Sequence, residues 1–266
     1  MKYNKNYEVR VMSINFKNAI VRLPSESIIN AISSKGLSPN FLKAKKQHQA
    51  YTDTLKETGL DVKILKPLKY LPDSLFVEDP ALIYNKICII LKPGVVTRLE
   101  EASKLKIEIS ELFDQVFTLE HGNVEGGDIL RIKNHFIIGI SSRTDEVGAK
   151  NLSKIINKIG GTSEIAVTPE NILHFKSECS LLDEETILAT ENLIETGFFD
   201  KKYQIVKVPK GEETGANCLR INEKLLIPRG YTRLLDILSK DYKVRVLDVT
   251  EMEKVDAGLS CLSLRW

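Results

Sequence analysis

The hydrophobic residues of this chain recur in pairs of short runs, and a polar turn separates the two runs of each pair. Ile, Leu and Val dominate the runs, whereas Asn, Lys, Asp and Glu occupy the turns. This pattern predicts β-hairpins, in which turn-forming residues join two strands. Four hairpins are predicted, at residues 81–91, 129–139, 181–189 and 218–228.

A helical pattern follows each predicted hairpin, and a short apolar run follows each helix. Apolar side chains recur with a helical period over residues 97–113, 143–159, about 192–202 and 230–241. Thr97 and Thr232 are predicted to begin two of these helices, and Gly160 with Gly161 to end another. The apolar runs predict closing strands at 116–117, 165–167, 205–208 and 244–247.

The N-terminal part of the chain follows the same scheme less clearly. It predicts a strand at 18–23, a helix at 40–58 and a closing strand at 62–65. Counting this part, hairpin, helix and strand recur five times at intervals of about 40 to 55 residues, a spacing typical of repeat architectures. Five regular recurrences favour a repeat over a generic α/β sheet. We therefore predict one α/β propeller-like domain over 1–266, with 1–15 as an N-terminal extension.

Composition and charge narrow the class of partner. The 266 residues carry a formal net charge of +2, and basic and acidic residues are interleaved. This argues against nucleic acid or a membrane surface as the main partner, because both usually require a concentrated basic face. No apolar run approaches the length of a membrane span, and the N-terminus does not resemble a secretory signal. We expect a cytoplasmic protein, and the sequence leaves its oligomeric state open, including a homodimer.

The cysteines and the other reactive side chains follow different patterns. The four cysteines lack the spacing of a zinc site, and Cys88, Cys179 and Cys218 are expected in the core. The other reactive residues occupy equivalent places, just after the closing strands. Because loops on one rim of a closed fold converge, they are predicted to surround one pocket. They are Asp73, Glu78, Asp79, Glu125, Asp128, His174 and Cys261.

The chemistry of these residues indicates a guanidinium substrate. Several carboxylates around one pocket require a cation, and a planar guanidinium is the group that carboxylates bind bidentately. A cysteine with a nearby histidine provides a nucleophile and a proton donor, here Cys261 and His174. Arg98 and Arg143, at junctions between hairpin and helix, are candidates for binding a substrate carboxylate. Taken singly, each residue is more often structural, so the prediction depends on their shared position in the repeat.

Six segments in this order resemble dimethylarginine dimethylaminohydrolase, especially the bacterial type. They are LPDSLFVEDP (71–80), VEGGDI (124–129), SSRT (141–144), LHFKS (173–177), ANCL (216–219) and LSCLSLRW (259–266). The resemblance extends from about residue 18 to residue 266. It implies the pentein fold, a five-fold pseudosymmetric α/β propeller, which agrees with the repeat found independently.

The resemblance also implies an activity and a role for each site residue. The family converts N-methylated arginine to citrulline and a methylamine, without a metal or organic cofactor. Cys261 matches its nucleophile, His174 its acid and base, and Glu125 the acid that supports the histidine. The remaining matches are substrate-binding positions: Asp73, Glu78 and Asp79 for the guanidinium and amine, Arg98 and Arg143 for the carboxylate, and, more loosely, Ile32 and Val255 for backbone contacts, with 24–36 as a lid.

The implied mechanism is covalent. The Cys261 thiolate attacks the guanidinium carbon, and His174 protonates the departing methylamine, which leaves an S-alkylthiouronium adduct. His174 then deprotonates the water that releases citrulline.

Three alternatives remain at this stage. Arginine deiminase shares the nucleophile, but that family carries an Asp two residues after its catalytic histidine, where this chain has Lys176. A hydrolase of another substituted guanidine would have much the same residues. A non-enzymatic pentein-fold protein, like the ribosome-associated translation initiation factor, would have no reason to keep Cys261, His174 and the carboxylates together.

Overall fold

The computed structural model describes residues 13–170, 172–199 and 202–266, and these form five three-stranded sheets. In each sheet the middle strand pairs with one neighbour antiparallel and with the other parallel. The first sheet has the order β15-β1-β2, from Leu264–Arg265, Asn18–Arg22 and Asp61–Leu65. The others are β3 (Ala81–Tyr84), β4 (Ile87–Ile90) and β5 (Gln115–Thr118); β6 (Ile129–Ile132), β7 (His135–Ile140) and β8 (Thr162–Val167); β9 (Cys179–Leu181), β10 (Thr186–Ala189) and β11 (Gln204–Lys207); and β12 (Leu219–Ile221), β13 (Lys224–Pro228) and β14 (Lys243–Leu247).

The predicted hairpins are confirmed, and three of them turn through one residue in the left-handed region. Asn85, Lys133 and Asn222 have φ values of 56°, 59° and 52°. Asn tolerates this conformation better than most residues because its short polar side chain bonds locally. The repeated polar turn in the sequence therefore corresponds to a repeated backbone conformation.

Helices connect the second and third strands of the sheets. They are α1 (Phe41–Glu57), α2 (Leu99–Ile109), α3 (Glu146–Lys158), α4 (Glu191–Ile194) and α5 (Thr232–Leu238), and a short α6 (Thr250–Glu253) follows the last sheet. In α3, Ala149, Leu152 and Ile156 are buried at the spacing that forms one helical face. Gly160, with φ of 85°, follows the end of α3, as predicted.

Two predictions about the helices were wrong. The helix predicted at about 192–202 is a single turn, α4, and residues 200 and 201 lie outside the described residues. Its apolar periodicity arises from a cluster of aromatic rings, in which Phe198 and Phe199 have centroids 5.3 Å apart. The helix that Thr97 was predicted to begin starts two residues later, because Thr97 lies within a 3-10 turn and α2 begins at Leu99. Thr232 is the first residue of α5, as predicted.

The first sheet is completed by the C-terminal end of the chain. Ala19 and Ile20 of β1 pair with Arg265 and Leu264 of β15, which supplies the hairpin strand that the N-terminal pattern lacked. The innermost strands β3, β6, β9, β12 and β15 line one axial cavity. The fold is therefore the predicted five-fold pseudosymmetric α/β propeller. Residues 1–12 of the predicted N-terminal extension lie outside the described residues, whereas Ile14 packs in the core.

Apolar clusters lie between neighbouring sheets and their helices, and the four cysteines are buried and unpaired. Over the described ranges, no helix combines the length and the apolar character that crossing a membrane requires.

Candidate active site

One cavity brings together eight of the eleven residues predicted for the site. They are Ile32, Asp73, Asp79, Arg98, Arg143, His174, Val255 and Cys261. Each comes from a loop after a closing strand or from a junction between hairpin and helix, so the loops do converge on one rim. Glu125 lies directly behind His174, and Glu78 faces away from this cavity.

His174 is held by an ion pair at the wall of the cavity. Its Nε2 lies 2.7 Å from Glu125 Oε2 and 4.0 Å from Asp79 Oδ1. A Cβ on Gly127 would lie 2.7 Å from the imidazole, so only glycine lets the backbone approach the ring this closely. Asp128 is fully buried below this turn, where it accepts hydrogen bonds from Phe175 N (2.7 Å) and Thr144 Oγ1 (2.6 Å). Asp128 therefore orients the histidine loop and does not line the cavity, contrary to prediction.

The charges around His174 keep it protonated. Burial alone would lower the pKa of His174, but Asp79, Glu125 and Asp128 outweigh burial and raise it to about 9. Burial opposes ionisation of Glu125, yet His174, Arg98 and Arg143 hold the pKa of this carboxyl below its ordinary value. The pair is thus an imidazolium and a carboxylate at neutral pH, which provides a proton donor at the cavity wall.

Cys261 lies in a 3-10 turn, Ser260–Leu262, just before the last strand. Its carbonyl accepts a hydrogen bond from Glu78 N at 3.3 Å. Burial, followed by the charges of Asp79 and Glu78, raises the pKa of the thiol to about 12. The thiol is therefore neutral in the empty site, and an added positive charge in the cavity would favour the thiolate.

Arg98 is buried in a network of acids. Its Nη1 lies 2.7 Å from Asp79 Oδ2, and its Nε donates to Glu101 Oε2 at 3.0 Å. Burial raises the pKa of Glu101 to about 7, although Arg98 opposes this shift. Arg143 is the more accessible arginine, with its Nη1 3.6 Å from Glu125 Oε1 and 12% of its side chain exposed. Of the two arginines, Arg143 is the better placed to reach a ligand.

The predicted lid residue Ile32 is bonded to a predicted substrate-binding carboxylate. Its backbone N–H donates to Asp73 Oδ1 at 3.1 Å. Two residues on, the N–H and hydroxyl of Ser34 donate to Asp256 at 2.5 and 2.8 Å. These bonds attach the segment to the wall of the cavity, which Ile32 and Asp73 both line.

Glu78 faces the axial cavity, on the other side of the loop from the candidate site. Its Oε1 lies 2.6 Å from Lys176 Nζ and 2.7 Å from Arg265 Nη2, while Oε2 is buried without a hydrogen-bond partner among the described residues. A substrate contact for Glu78 stays a prediction. Glu78, Lys176 and Arg265 thus form an ion cluster that faces the axial cavity.

The expectation that the carboxylates require an external cation was only partly correct. Arg98 forms ion pairs with Asp79 and Glu101, and Lys176 and Arg265 both form ion pairs with Glu78, so several of these acids already have a cation of the protein beside them. Ligand atoms of Asp79, Glu125 and His174 lie within 4.8 Å of one another, close enough to hold a metal ion. The guanidinium groups already beside Asp79 and Glu125 favour an ion-pair network at this place.

Sequence reasoning missed several residues of this site. Phe76, Leu173, Asp256 and Ala257 also line the cavity, and Glu101 pairs with Arg98. The only local signal for any of them was the spacing of Arg98 and Glu101, three residues apart at the start of a helix. Phe76, Leu173 and Ala257 are apolar, and Asp256 lies beside Ala257 in the same loop. Their positions in the cavity depend on long-range packing, which the sequence does not specify.

The sequence is similar to a known family and to curated proteins. A family model described as arginine deiminase matches residues 104–224. The N(G),N(G)-dimethylarginine dimethylaminohydrolase of Pseudomonas aeruginosa is 34% identical over 255 residues, which cover 94% of this chain and 100% of that protein.

Solved structures agree with these matches. A crystallised Cys-to-Ser mutant of dimethylarginine dimethylaminohydrolase from Pseudomonas aeruginosa, complexed with citrulline, superposes with a TM-score of 0.91 and 33% identity, over 94% of this chain and 99% of that one. The N-terminal domain of ArgZ, an arginine dihydrolase from the ornithine–ammonia cycle in cyanobacteria, superposes with a TM-score of 0.82 at 18% identity, over 95% and 98% of the two chains. This second likeness concerns the fold alone.

Proposed function

The chain belongs to the dimethylarginine dimethylaminohydrolase family of the pentein superfamily, and we propose on this basis that it hydrolyses N-methylated arginine to citrulline and a methylamine. The observation that carries the proposal is the shared cavity. One enclosed site holds a thiol, Cys261, and a protonated imidazole, His174, with the carboxylates of Asp73 and Asp79 on its walls. This combination suits covalent attack on a guanidinium and protonation of the amine that leaves.

In the first half of the reaction the substrate helps to activate the nucleophile. The guanidinium brings a positive charge beside Cys261, which favours the thiolate, and the thiol proton is released to bulk water as the substrate binds. The thiolate sulfur forms a bond with the guanidinium carbon, and the bond from that carbon to the methylated nitrogen breaks. His174 gives its proton to the departing methylamine, and Glu125 keeps the imidazole oriented for this transfer.

In the second half of the reaction, water displaces the Cys261 sulfur from the substrate carbon. His174, now neutral, accepts a proton from a water molecule that attacks the carbon of the S-alkylthiouronium adduct. The carbon–sulfur bond breaks, which releases citrulline and returns the thiolate and the imidazolium. The proposed roles require no metal or organic cofactor.

The choice of a substituted guanidine over free arginine rests on Lys176. It stands two residues after His174, and its ammonium is paired with Glu78. Lys176 therefore offers no carboxylate to a second pair of guanidinium hydrogens, whereas the resemblance described above implies an Asp at this position in an arginine deiminase. A methylated nitrogen, which has fewer hydrogens to satisfy, is the better match.

The test is a panel of guanidines: monomethylarginine, asymmetric dimethylarginine, arginine and agmatine, each scored for citrulline or carbamoyl product. We expect turnover of the two methylated arginines and at least about tenfold lower kcat/KM for arginine, since one mismatched polar group costs roughly 1–3 kcal/mol. Cys261→Ser should abolish product formation with every substrate. Preferred turnover of arginine would make the protein a deiminase, and near-normal turnover by Cys261→Ser would refute the covalent role.

Further predictions from the sequence belong with this proposal. The partner is a small guanidino amino acid. A single domain, a cytoplasmic location and a homodimer stay predictions, which fractionation and light scattering of the intact chain would test.

A further inference from the structure

The Asn in the segment ANCL (216–219) has no part in the proposed chemistry, yet it makes a specific set of contacts. Asn217 lies between the 3-10 helix Glu213–Ala216 and β12. Its Nδ2 donates to the carbonyl of Lys176 at 3.1 Å and to Ser260 Oγ at 3.2 Å. Its Oδ1 accepts from the backbone N–H of Ser260 at 3.0 Å. Both amide hydrogens and the amide oxygen are thus engaged.

These contacts join the two loops that carry the proposed catalytic pair. Lys176 is two residues after His174, and Ser260 directly precedes Cys261. The bonds connect positions 41 and 43 residues from Asn217 along the chain, so they fix one loop relative to the other. Asn217 does not line the catalytic cavity, and it lies in a neighbouring cleft instead.

The backbone beside Asn217 is built to admit its side chain. A Cβ on Gly258 would lie 2.4 Å from Asn217 Cγ and 2.5 Å from its Oδ1. Any other residue at 258 would displace the amide, because contacts below 3.0 Å are not tolerated. Gly258, which lies three residues before the nucleophile, and Asn217 therefore form a matched pair.

We propose that Asn217 is a positioning residue, which sets the placement of Cys261 relative to His174 by bonding their loops together. The inference rests on the proposed function, since it assigns those two residues to the reaction. Misplacement of a reacting group by about 1 Å can cost about 100-fold in rate. Asparagine is suited to this role because one planar amide donates to one loop and both donates to and accepts from the other.

The first test is steady-state kinetics of Asn217→Ala with asymmetric dimethylarginine. We expect kcat to fall about 10- to 100-fold, while KM stays within about threefold because the carboxylates and arginines of the cavity are unchanged. Asn151→Ala is the matched control, since that amide bonds only to Val147 within its own helix, and it should leave both constants unchanged.

The second test does not require turnover. Without its bonds to Asn217, the Cys261 loop should admit water, and the thiol should react faster with iodoacetamide at pH 8 in the absence of substrate. Peptide mapping should find the increase at Cys261 alone, because Cys88, Cys179 and Cys218 remain buried in the core. Simple destabilisation would expose all four cysteines together.

A folded Asn217→Ala variant with kcat within twofold of wild type, or with alkylation raised equally at all four cysteines, overturns the proposal. Should this variant not fold, Asn217→Asp replaces it. The new carboxylate would keep an acceptor for the Ser260 N–H but would lose the donor to the Lys176 carbonyl. We therefore expect a smaller fall in kcat than for Asn217→Ala, and an unchanged kcat would contradict the proposal. If wild type turns over no guanidine, the proposed function fails, whereas the alkylation pattern still decides whether Asn217 holds Cys261.

Discussion

At the scale of single residues, the site depends on an imidazolium kept charged in a buried place. An isolated buried histidine is normally neutral, as His48 illustrates: burial lowers its pKa to about 4. His174 is equally buried but has Asp79, Glu125 and Asp128 around it, and these reverse the direction of the shift. Three carboxylates thus determine the protonation state of the proposed acid.

Removing the nearest of these charges should move the pH profile. In Glu125→Gln the hydrogen bond to His174 can persist, but the negative charge is lost, so the pKa of His174 should fall by about one to two units. We expect the alkaline limb of kcat to move down by that amount and the rate at pH 8 to fall about 2- to 10-fold. Glu120→Gln, at an exposed position, is the control, and equal pH profiles for the two variants would contradict the assignment.

The same pair makes a prediction about stability. A group whose pKa is raised by folding stabilises the native state fully below its unfolded pKa, near 6.5, and this contribution is lost as pH rises through about 9. The free energy of unfolding should therefore be higher for wild type than for His174→Gln. This difference should be largest at about pH 6 and should shrink towards pH 10. Urea denaturation across this range measures it, and a difference that grows with pH would exclude the ion pair.

The sequence identified residues whose role depends on their place in the repeat, and it missed residues whose role depends on a distant partner. Cys261 and His174 were found because each lies in a recurring place after a closing strand. Glu101 and Asn217 were not identified, because the role of each depends on the residues that it contacts in the folded chain. Glu78 was placed in the correct loop, but its side chain faces the axial cavity, and a loop pattern does not specify that direction.

At the scale of elements, one repeated unit is used five times with different degrees of regularity. The unit with α4 has only a single helical turn, and rings replace the rest of the helix: Phe175, next to His174, has its centroid 6.2 Å from that of Phe198. Apolar spacing cannot distinguish such a cluster from a helix face, because both bury the same side chains. The element was therefore predicted too long.

The C-terminal strand completes the first sheet, so its anchor should matter for stability. Leu264 in β15 is 4% exposed and packs in the core beside Ile20 and Val77. Leu264→Ala should lower the free energy of unfolding by about 2–4 kcal/mol through lost burial and the cavity left behind. Val167→Ala, at an edge position of β8 that is 72% exposed, should change it by less than about 0.5 kcal/mol. Equal losses in urea denaturation would show that β15 is not an anchor.

At the scale of the whole molecule, three separate parts of the chain meet in one ion cluster at the axis. Glu78 follows the first sheet, Lys176 precedes the fourth, and Arg265 lies in the strand that closes the first. Arg265 also donates to the carbonyl of Ser260 at 3.0 Å, beside the nucleophile. Arg265 therefore connects the strand that completes the first sheet with the loop that carries Cys261.

Breaking this cluster should cost more than breaking a pair at the surface. Arg265→Met leaves Glu78 with one cation in a buried place, and we expect a loss of about 3 kcal/mol in the free energy of unfolding. Lys243→Met removes the exposed partner of Glu223 and should leave the urea midpoint unchanged. Similar midpoints for the two variants would mean that the axial cluster contributes nothing to stability.

The sequence by itself determined the repeated unit, the order of the elements and the loops that carry the reactive side chains. It could do so because alternation and helical periodicity record which face of each element is buried. Only the tertiary structure decided that β15 completes the first sheet, that Arg98 is paired with Asp79 and Glu101, and that Glu78 faces the axis. Most of these are contacts between residues far apart in the chain, such as Arg265 and Glu78, which are 187 positions apart. No local pattern specifies such partners, because they are chosen when the five units close into a ring.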